Sequence, residues 1–249
     1  MSNFRKRMKR FSLKSSIILA NDLDDKNINL IEKKTIENIK TLGEHLCAIK
    51  FNFHLLLPLG QKSIQKINQI AHDHGLQTIA DIKLNDIGNT NLVTLQRLWQ
   101  SGFDAVIANP IMGPENLSQL IKNAHKNNCG AITLVHMSHP GAKLGYGLKI
   151  QDPITGKMLH LHDLFLKWSY SLHADGIVVG ATVPKLIELS SKKTKGRFEI
   201  YSPGIGTQGG DVKDTLNAGA NYLIVGRTIL NSKNPKLEAQ RLQELTLQS

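Results

Sequence analysis

The sequence predicts a single-domain (β/α)8 TIM barrel of the α/β class, and three observations lead there. Eight short apolar runs alternate with segments whose apolar residues recur at helical spacing along 249 residues. Hydrophobic residues make up 41% of the chain but aromatics only 5%, so Ile, Leu, Val and Ala carry the core, a mix suited to parallel strands buried on both faces. The units are near-equal and lack a glycine-rich nucleotide turn, which argues against a doubly wound open sheet.

The strands are expected at 16–20 (SIILA), 47–51 (CAIKF), 78–81 (TIAD), 105–108 (AVIA), 130–134 (GAITL), 176–179 (GIVV), 198–201 (FEIY) and 222–225 (YLIV). Between them Ile28, Ile31, Ile36, Ile39 and Leu42 mark one helix, and Ile64, Ile67 and Ile70 a second. Leu92, Leu95 and Leu98 mark a third, Leu117, Leu120 and Ala124 a fourth, and Met158, Leu161, Leu164, Phe165 and Trp168 another after the fifth strand. Gly43, Gly75 and Gly102 stand where helices end, each fitting a left-handed residue after the last turn. The segment 141–156, GAKLGYGLKIQDPITG, has no clean period and reads as a long loop after the fifth strand, a surface excursion or a lid over the barrel mouth.

Outside this body, residues 1–14 hold six basic residues (Arg5, Lys6, Arg7, Lys9, Arg10, Lys14) and no acid. They read as a solvated, frayed tail, with residues 15–249 as the barrel domain. The tail accounts for six of the net +11, and the +5 left for the body mildly favours an anionic small substrate. No apolar run spans a bilayer and no signal-peptide core follows the basic start. The two distant cysteines, Cys47 and Cys129, fit inert thiols in a reducing compartment, so a cytoplasmic protein without membrane association is expected.

In a barrel of this kind the reactive groups sit at the C-terminal ends of the strands. Those positions hold Asp22, Lys50, Asp81 with Lys83, Asn109, Ser138, Pro203 through Asp211, and Gly226 with Arg227. Charged groups next to buried strands must be paired with each other or with ligand. Residues i and i+2 of a strand share a face, so Asp81 and Lys83 should both enter the mouth, with Ile82 turned away. Lys50 on the neighbouring strand and Asp86 in the following loop would complete an alternating row of two cations and two anions. Carboxylates beside an ammonium favour its charged form, and a protonated lysine beside a reacting carbon is a general acid. A purely structural ion-pair network is the plainer alternative.

The segment SPGIGTQGGD (202–211) after the seventh strand can bring backbone N–H groups close to an anion, with Gln208 adding an amide donor. Arg227, after the eighth strand, suits bidentate phosphate binding, and loops seven and eight are the usual phosphate site of these barrels. In MSHPGA (137–142), Ser138 can hydrogen-bond a polar ring, whereas His139 has no nucleophile context that would make it a catalyst. The pairs His72/His74 and His160/His162 stand away from strand ends and read as surface histidines, so no metal site is expected.

DIKLNDIGNT, MSHPGA and SPGIGTQGGD…IVGRTI, in this order, closely resemble orotidine 5′-phosphate decarboxylases, especially of the archaeal type, and ANDLDD and AIKF match as well. The resemblance covers roughly residues 16–235. It implies conversion of orotidine monophosphate to uridine monophosphate with no cofactor. Lys83 resembles the lysine that protonates C6, and Asp81 the aspartate set against the substrate carboxylate. Asp86, with Ile87 and Thr90, resembles the group that enters the neighbouring subunit's site in a homodimer. Asp22 and Lys50 look like the ribose-contacting pair, Lys50 also belonging to the charge network, and Ser138 like the pyrimidine-contacting serine. Gln208, Gly226 and Arg227 resemble the phosphate grip, with Pro203 beside the ring. Asn109 stands where many relatives carry histidine, and the stretch after Ser138 is longer than in compact relatives.

Two rivals remain at this level. Sugar-phosphate decarboxylases or aldolases of the same superfamily share the DxKxxD pattern but use magnesium, whereas MSHPGA and Gln208 favour the pyrimidine enzyme. A nucleic-acid-binding barrel using the basic tail would lack aromatic stacking platforms, so no nucleic-acid polymer is expected as partner.

Overall fold

The computed structural model describes residues 1–248. Helix α1 (Asn3–Ser12) precedes β1 (Ile17–Ala20), and α2 (Ile28–Leu42) leads to β2 (Ala48–Asn52). Helices α3 (Phe53–Leu56) and α4 (Gln61–Asp73) precede β3 (Gln77–Leu84), and α5 (Gly88–Gln100) precedes β4 (Ala105–Ala108). After α6 (Pro114–Lys126) comes β5 (Gly130–His136), then α7 (Ala142–Gly145), β6 (Lys149–Gln151), β7 (Met158–His160) and α8 (Leu161–Ser171). The remainder runs β8 (Gly176–Val179), α9 (Pro184–Thr194), β9 (Glu199–Pro203), α10 (Val212–Asn217), β10 (Tyr222–Val225), α11 (Arg227–Leu230) and α12 (Pro235–Leu247).

Eight parallel strands close on themselves in the order β1-β10-β9-β8-β5-β4-β3-β2, as the eight-unit alternation predicts. Strand alternation divides two cores. Ile17, Leu19, Ile49 and Phe51 face the helices, whereas Ile18, Ile79, Ile132, Ile224 and the stacked Tyr201–Tyr222 pair (centroids 4.8 Å apart) fill the barrel. Helix ends obey local chemistry: the Asn27 side chain accepts the N–H groups of Asn29 and Leu30 at the start of α2. Gly75 (φ 73°) and Gly102 (φ 87°) are left-handed after α4 and α5, as expected. Gly43 is not: it keeps right-handed helical angles and opens a short 3-10 turn, Gly43–His45.

Three further expectations are corrected. Residues 3–12 are not a frayed tail but a helix that closes the N-terminal end of the barrel. Phe4 and Met8, one turn apart, are fully buried against the barrel-filling residues, and the Phe4 ring occupies the space a Cβ on Gly130 would need. The basic residues serve that docking. Arg5 donates two hydrogen bonds to the buried Glu199 carboxylate (2.5 and 3.1 Å), and Arg7 donates to Gln77, Asp104 and the Asn128 carbonyl. The segment after β5 is likewise ordered, as the short helix α7 and an antiparallel hairpin of β6 and β7. Met158 is part of that hairpin rather than of α8, because the extended chain runs to His160 before turning helical.

Both cysteines are free and buried, and burial pushes the Cys129 thiol up to about 12. Among the described residues no helix is long and apolar enough to cross a membrane.

Candidate active site

Parallel register assembles the charged row. Ala20 on β1 is level with Lys50 on β2, and Asn52 on β2 with Asp81 on β3. Lys50 Nζ therefore lies 2.8 Å from one oxygen of Asp81 and 3.7 Å from Asp22. It also donates to the Asn52 side chain. Lys83 Nζ donates to the other Asp81 oxygen at 2.9 Å. Ile82 turns outward into the helix-facing core, as expected. The strand does not stay regular to its end, however. Lys83 has φ 47°, and the pairing of β3 with β4 shifts register between Ala80 and Leu84. This left-handed kink is unfavourable for a side chain with a Cβ and falls on the lysine of the charged row; strained backbone of this kind concentrates at functional sites.

Burial alone would push the Asp81 carboxyl up, but the Lys50 and Lys83 ammonium groups, each also hydrogen-bonded to it, overcome that and hold it below the ordinary aspartate value. The observed row is Asp22–Lys50–Asp81–Lys83. Asp86, expected as the second anion, is not in it within one chain: its carboxylate accepts the Ile87 N–H at 2.8 Å and is exposed. Asp22 Oδ1 is buried and accepts no hydrogen bond from the described residues, which leaves it competent to accept a ligand hydroxyl.

This row lines a cavity of about 290 Å³ at the C-terminal face of the barrel. The cavity brings together Asp22, Lys50, Asp81, Lys83, Ser138, Pro203, Gln208, Gly226 and Arg227, and its floor is apolar, including Ile107, Leu134, Val178 and Ile224. The β9 loop folds over Ser138 because Gly204 (φ 100°) has no side chain; a Cβ there would lie 2.8 Å from Ser138 Cβ and 2.9 Å from Gln208 Oε1. Ile87 and Thr90 are exposed and, like Asp86, do not line this chain's own cavity.

Asn52 and Met137 line the cavity and were not singled out from sequence, while His139, set aside as a catalyst, and Thr207, within the 203–211 stretch, line it too. Asn52 was within reach of the same i, i+2 rule that selected Lys83, since it lies two residues beyond Lys50 on β2. Asn109 does not line the cavity; its side chain accepts the Ile111 N–H at 3.2 Å and hydrogen-bonds the Tyr146 hydroxyl.

A family model described as "Orotidine 5′-phosphate decarboxylase / HUMPS family" matches residues 15–242. The chain belongs to that family. It is 33% identical over 234 residues to the orotidine 5′-phosphate decarboxylase of Thermococcus kodakarensis, covering 94% of this chain and 98% of that one. Among solved structures, orotidine 5′-phosphate decarboxylase from Pyrococcus horikoshii superposes with TM-score 0.75 at 30% identity, over 94% of this chain and 99% of that one. The orotidine 5′-monophosphate decarboxylase from Methanocaldococcus jannaschii complexed with inhibitor BMP superposes with TM-score 0.76 at 27% identity, over 93% and 98%. The matched region starts just after α1, so the helix that plugs the barrel lies outside the family model.

The histidine pairs divide. His72 and His74 diverge as expected, but His72 is not idle: its Nε2 lies 2.8 Å from Asp104, while His74 Nδ1 lies 2.9 Å from the Ile70 carbonyl. His160 and His162, in contrast, stack with centroids 5.1 Å apart beside Asp163.

Proposed function

We propose that the chain is an orotidine 5′-phosphate decarboxylase, a carboxy-lyase that releases carbon dioxide from C6 of orotidine monophosphate to give uridine monophosphate. The observation that carries this reading is one cavity lined both by the Asp22–Lys50–Asp81–Lys83 row and by Gln208 and Arg227. A nucleoside monophosphate fits that polarity. Arg227 and Gln208 hold the phosphate, Asp22 and Lys50 the ribose hydroxyls, and Ser138 the pyrimidine, with Pro203 beside the ring.

The C6–carboxylate bond breaks with both electrons left on C6. That carbanion has little resonance help, so fixed charge must stabilise it. Lys83 faces it with an ammonium and gives up one proton to C6, leaving a neutral amine that regains its proton from water. Asp81 stands against the departing carboxylate. Enzymes lower barriers by roughly 8–23 kcal/mol. One ion pair falls short of that, so phosphate binding and loop closure over the cavity must contribute.

Asp86, Ile87 and Thr90 complete the site of a second copy in a homodimer. Apolar surface for such an interface is present: Ile87 itself is 64% accessible, and Val93, on the same helix as Thr90, 43%. The buried free thiols support a reducing, cytoplasmic setting.

The deciding experiment follows loss of orotidine monophosphate absorbance with EDTA present; no turnover, or turnover only with added magnesium, rejects the reading in favour of the metal-dependent sugar-phosphate branch. Site sharing has its own test. Lys83→Ala and Asp86→Ala variants, each inactive, should regain roughly a quarter of wild-type activity when unfolded and refolded together, because each mixed dimer contains one intact site. Absence of complementation rejects a shared site.

A further inference from the structure

The β6–β7 hairpin returns to the barrel at a junction whose chemistry the decarboxylation does not use. His160 ends β7 and is the N-cap of α8 (φ −82°, ψ 152°), so His162 and Asp163 fall in the first turn of that helix. The change from extended to helical backbone brings residues i and i+2 onto one side, and the two imidazoles stack at 7°. Asp163 Oδ2 lies 3.7 Å from His160 Nδ1 and 3.8 Å from His162 Nε2, and the three ligand atoms all lie within 4.8 Å of one another.

Each group is oriented from behind. His162 Nδ1 lies 3.0 Å from the Tyr146 carbonyl oxygen, which can only accept, so Nδ1 carries the proton and the Nε2 lone pair faces Asp163. The other Asp163 oxygen is held by Lys193 at 2.5 Å, leaving Oδ2 for a ligand. Ligating histidines in metal sites show the same outer support, the second ring nitrogen donating to a carbonyl or carboxylate.

We propose that His160, His162 and Asp163 form a binding site for a divalent transition-metal ion of the zinc type, with the remaining coordination positions open to water. Two imidazoles and one carboxylate suit zinc rather than magnesium or calcium, which take oxygen ligands. With bonds of about 2.0–2.1 Å, ligand atoms of a tetrahedral site stand ~3.3 Å apart. The separations from His160 close to that value if its ring, whose side chain is 44% exposed, tilts out of the stack, and the 3.8 Å between His162 and Asp163 closes by a small rotation of the Asp163 carboxylate. That tilt is required, because parallel rings hold their lone pairs in parallel planes.

Lys193 and the positive end of the α8 dipole oppose a cation here, so the ion exchanges with chelators rather than being locked in. Its effect is to staple the hairpin to α8. His162 also packs edge-on against His136 (centroids 5.8 Å), the last residue of β5 and two before Ser138, so the staple backs the loop that lines the cavity.

The site does not depend on the decarboxylase reading, and its test needs no turnover. The full chain is titrated with zinc chloride against a chromophoric chelator, and unfolding is followed with and without the ion. One equivalent should bind and raise the melting temperature. His160→Ala and Asp163→Asn should each weaken binding at least ~10-fold, as loss even of outer-shell support does. His72→Ala, at the separate His72–Asp104 pair, should leave binding unchanged. The exposed His160 variant reports even where Asp163→Asn misfolds. No competition with the chelator, or equal loss in the His72 variant, overturns the proposal.

Discussion

Replacing Phe4 by alanine should cost the protein much of its stability while leaving its chemistry alone. Phe4 is fully buried among barrel-filling residues, next to Gly130 at the start of β5. Truncating a buried phenylalanine to alanine costs about 3–5 kcal/mol, the transfer of the ring plus the cavity it leaves. For a chain of this length each kcal/mol moves the melting temperature by about 2–4 °C, so the expected fall is about 6–20 °C. The contacts of α1 are with the starts of strands and the loops before them, at Glu199, Gln77, Asp104 and Asn128. The cavity lies at the opposite end of the barrel, so turnover at 25 °C should stay near wild type.

The comparison that isolates packing from charge is Lys6→Ser with Arg10→Ser. Both side chains are exposed, and surface changes of this kind stay within about ±0.5 kcal/mol. Calorimetry on the two proteins decides the matter. A Phe4→Ala midpoint within 2 °C of wild type (the shift of ~1 kcal/mol or less), or one matched by the double surface variant, would return residues 1–14 to the status of a solvated tail. The same geometry means that deleting residues 1–14 is a poor probe of nucleic-acid binding: it would uncover the barrel floor and leave Glu199 and Asp104 without their arginines. Charge-removing substitutions at Lys6 and Arg10 test that question on a folded protein.

Lys83→Ala should abolish turnover while nucleotide affinity partly survives, measured by kcat and by calorimetric binding of uridine monophosphate; an unchanged kcat refutes Lys83 as the proton donor. On the proposed phosphate role, Arg227→Ala should remove a charged hydrogen bond worth about 1.5–3 kcal/mol, so KM for orotidine monophosphate should rise about 10- to 150-fold. Binding of the nucleoside without phosphate should not change, and a parallel loss for both ligands would place Arg227 elsewhere than on the phosphate. Hydrogen bonds donated by His72 to Asp104 and by His125 to Asp175 hold both imidazoles above the ordinary histidine value, against the opposing effect of burial. A raised folded value stabilises the protein fully below the unfolded pKa of about 6.5, and that contribution is lost as pH rises through the higher folded values. Urea midpoints should therefore fall from pH 6 to pH 8 more in wild type than in a His72→Gln/His125→Gln variant; equal slopes would remove the two pairs from the stability balance.

What the sequence discloses follows from which physical rule is strict. Strand alternation is strict, and buried charge is costly, so charged residues at the ends of apolar runs had few places to go. Lys50, Asp81 and Lys83 could be assembled from those two constraints before any coordinates, whereas the fourth member was expected to be Asp86 and is Asp22. Even there the backbone takes a route the pattern does not contain. A regular strand would put Lys83 on the Asp81 face, yet the chain reaches that face through a left-handed Lys83 and a register shift against β4. The failures arise where a weaker cue was allowed to dominate. In residues 1–14 the density of positive charge masked Phe4, Met8 and Phe11, which share one helical face at i, i+4 and i+7, and it is that face that docks. At His160 and His162 spacing alone could not place the rings together, because the convergence depends on a change from strand to helix between the two residues. Asp86 marks a different boundary. Its side chain lies outside the charge row of its own chain and is exposed, and the shared site proposed for it needs a second copy, which no periodicity within one chain can reveal.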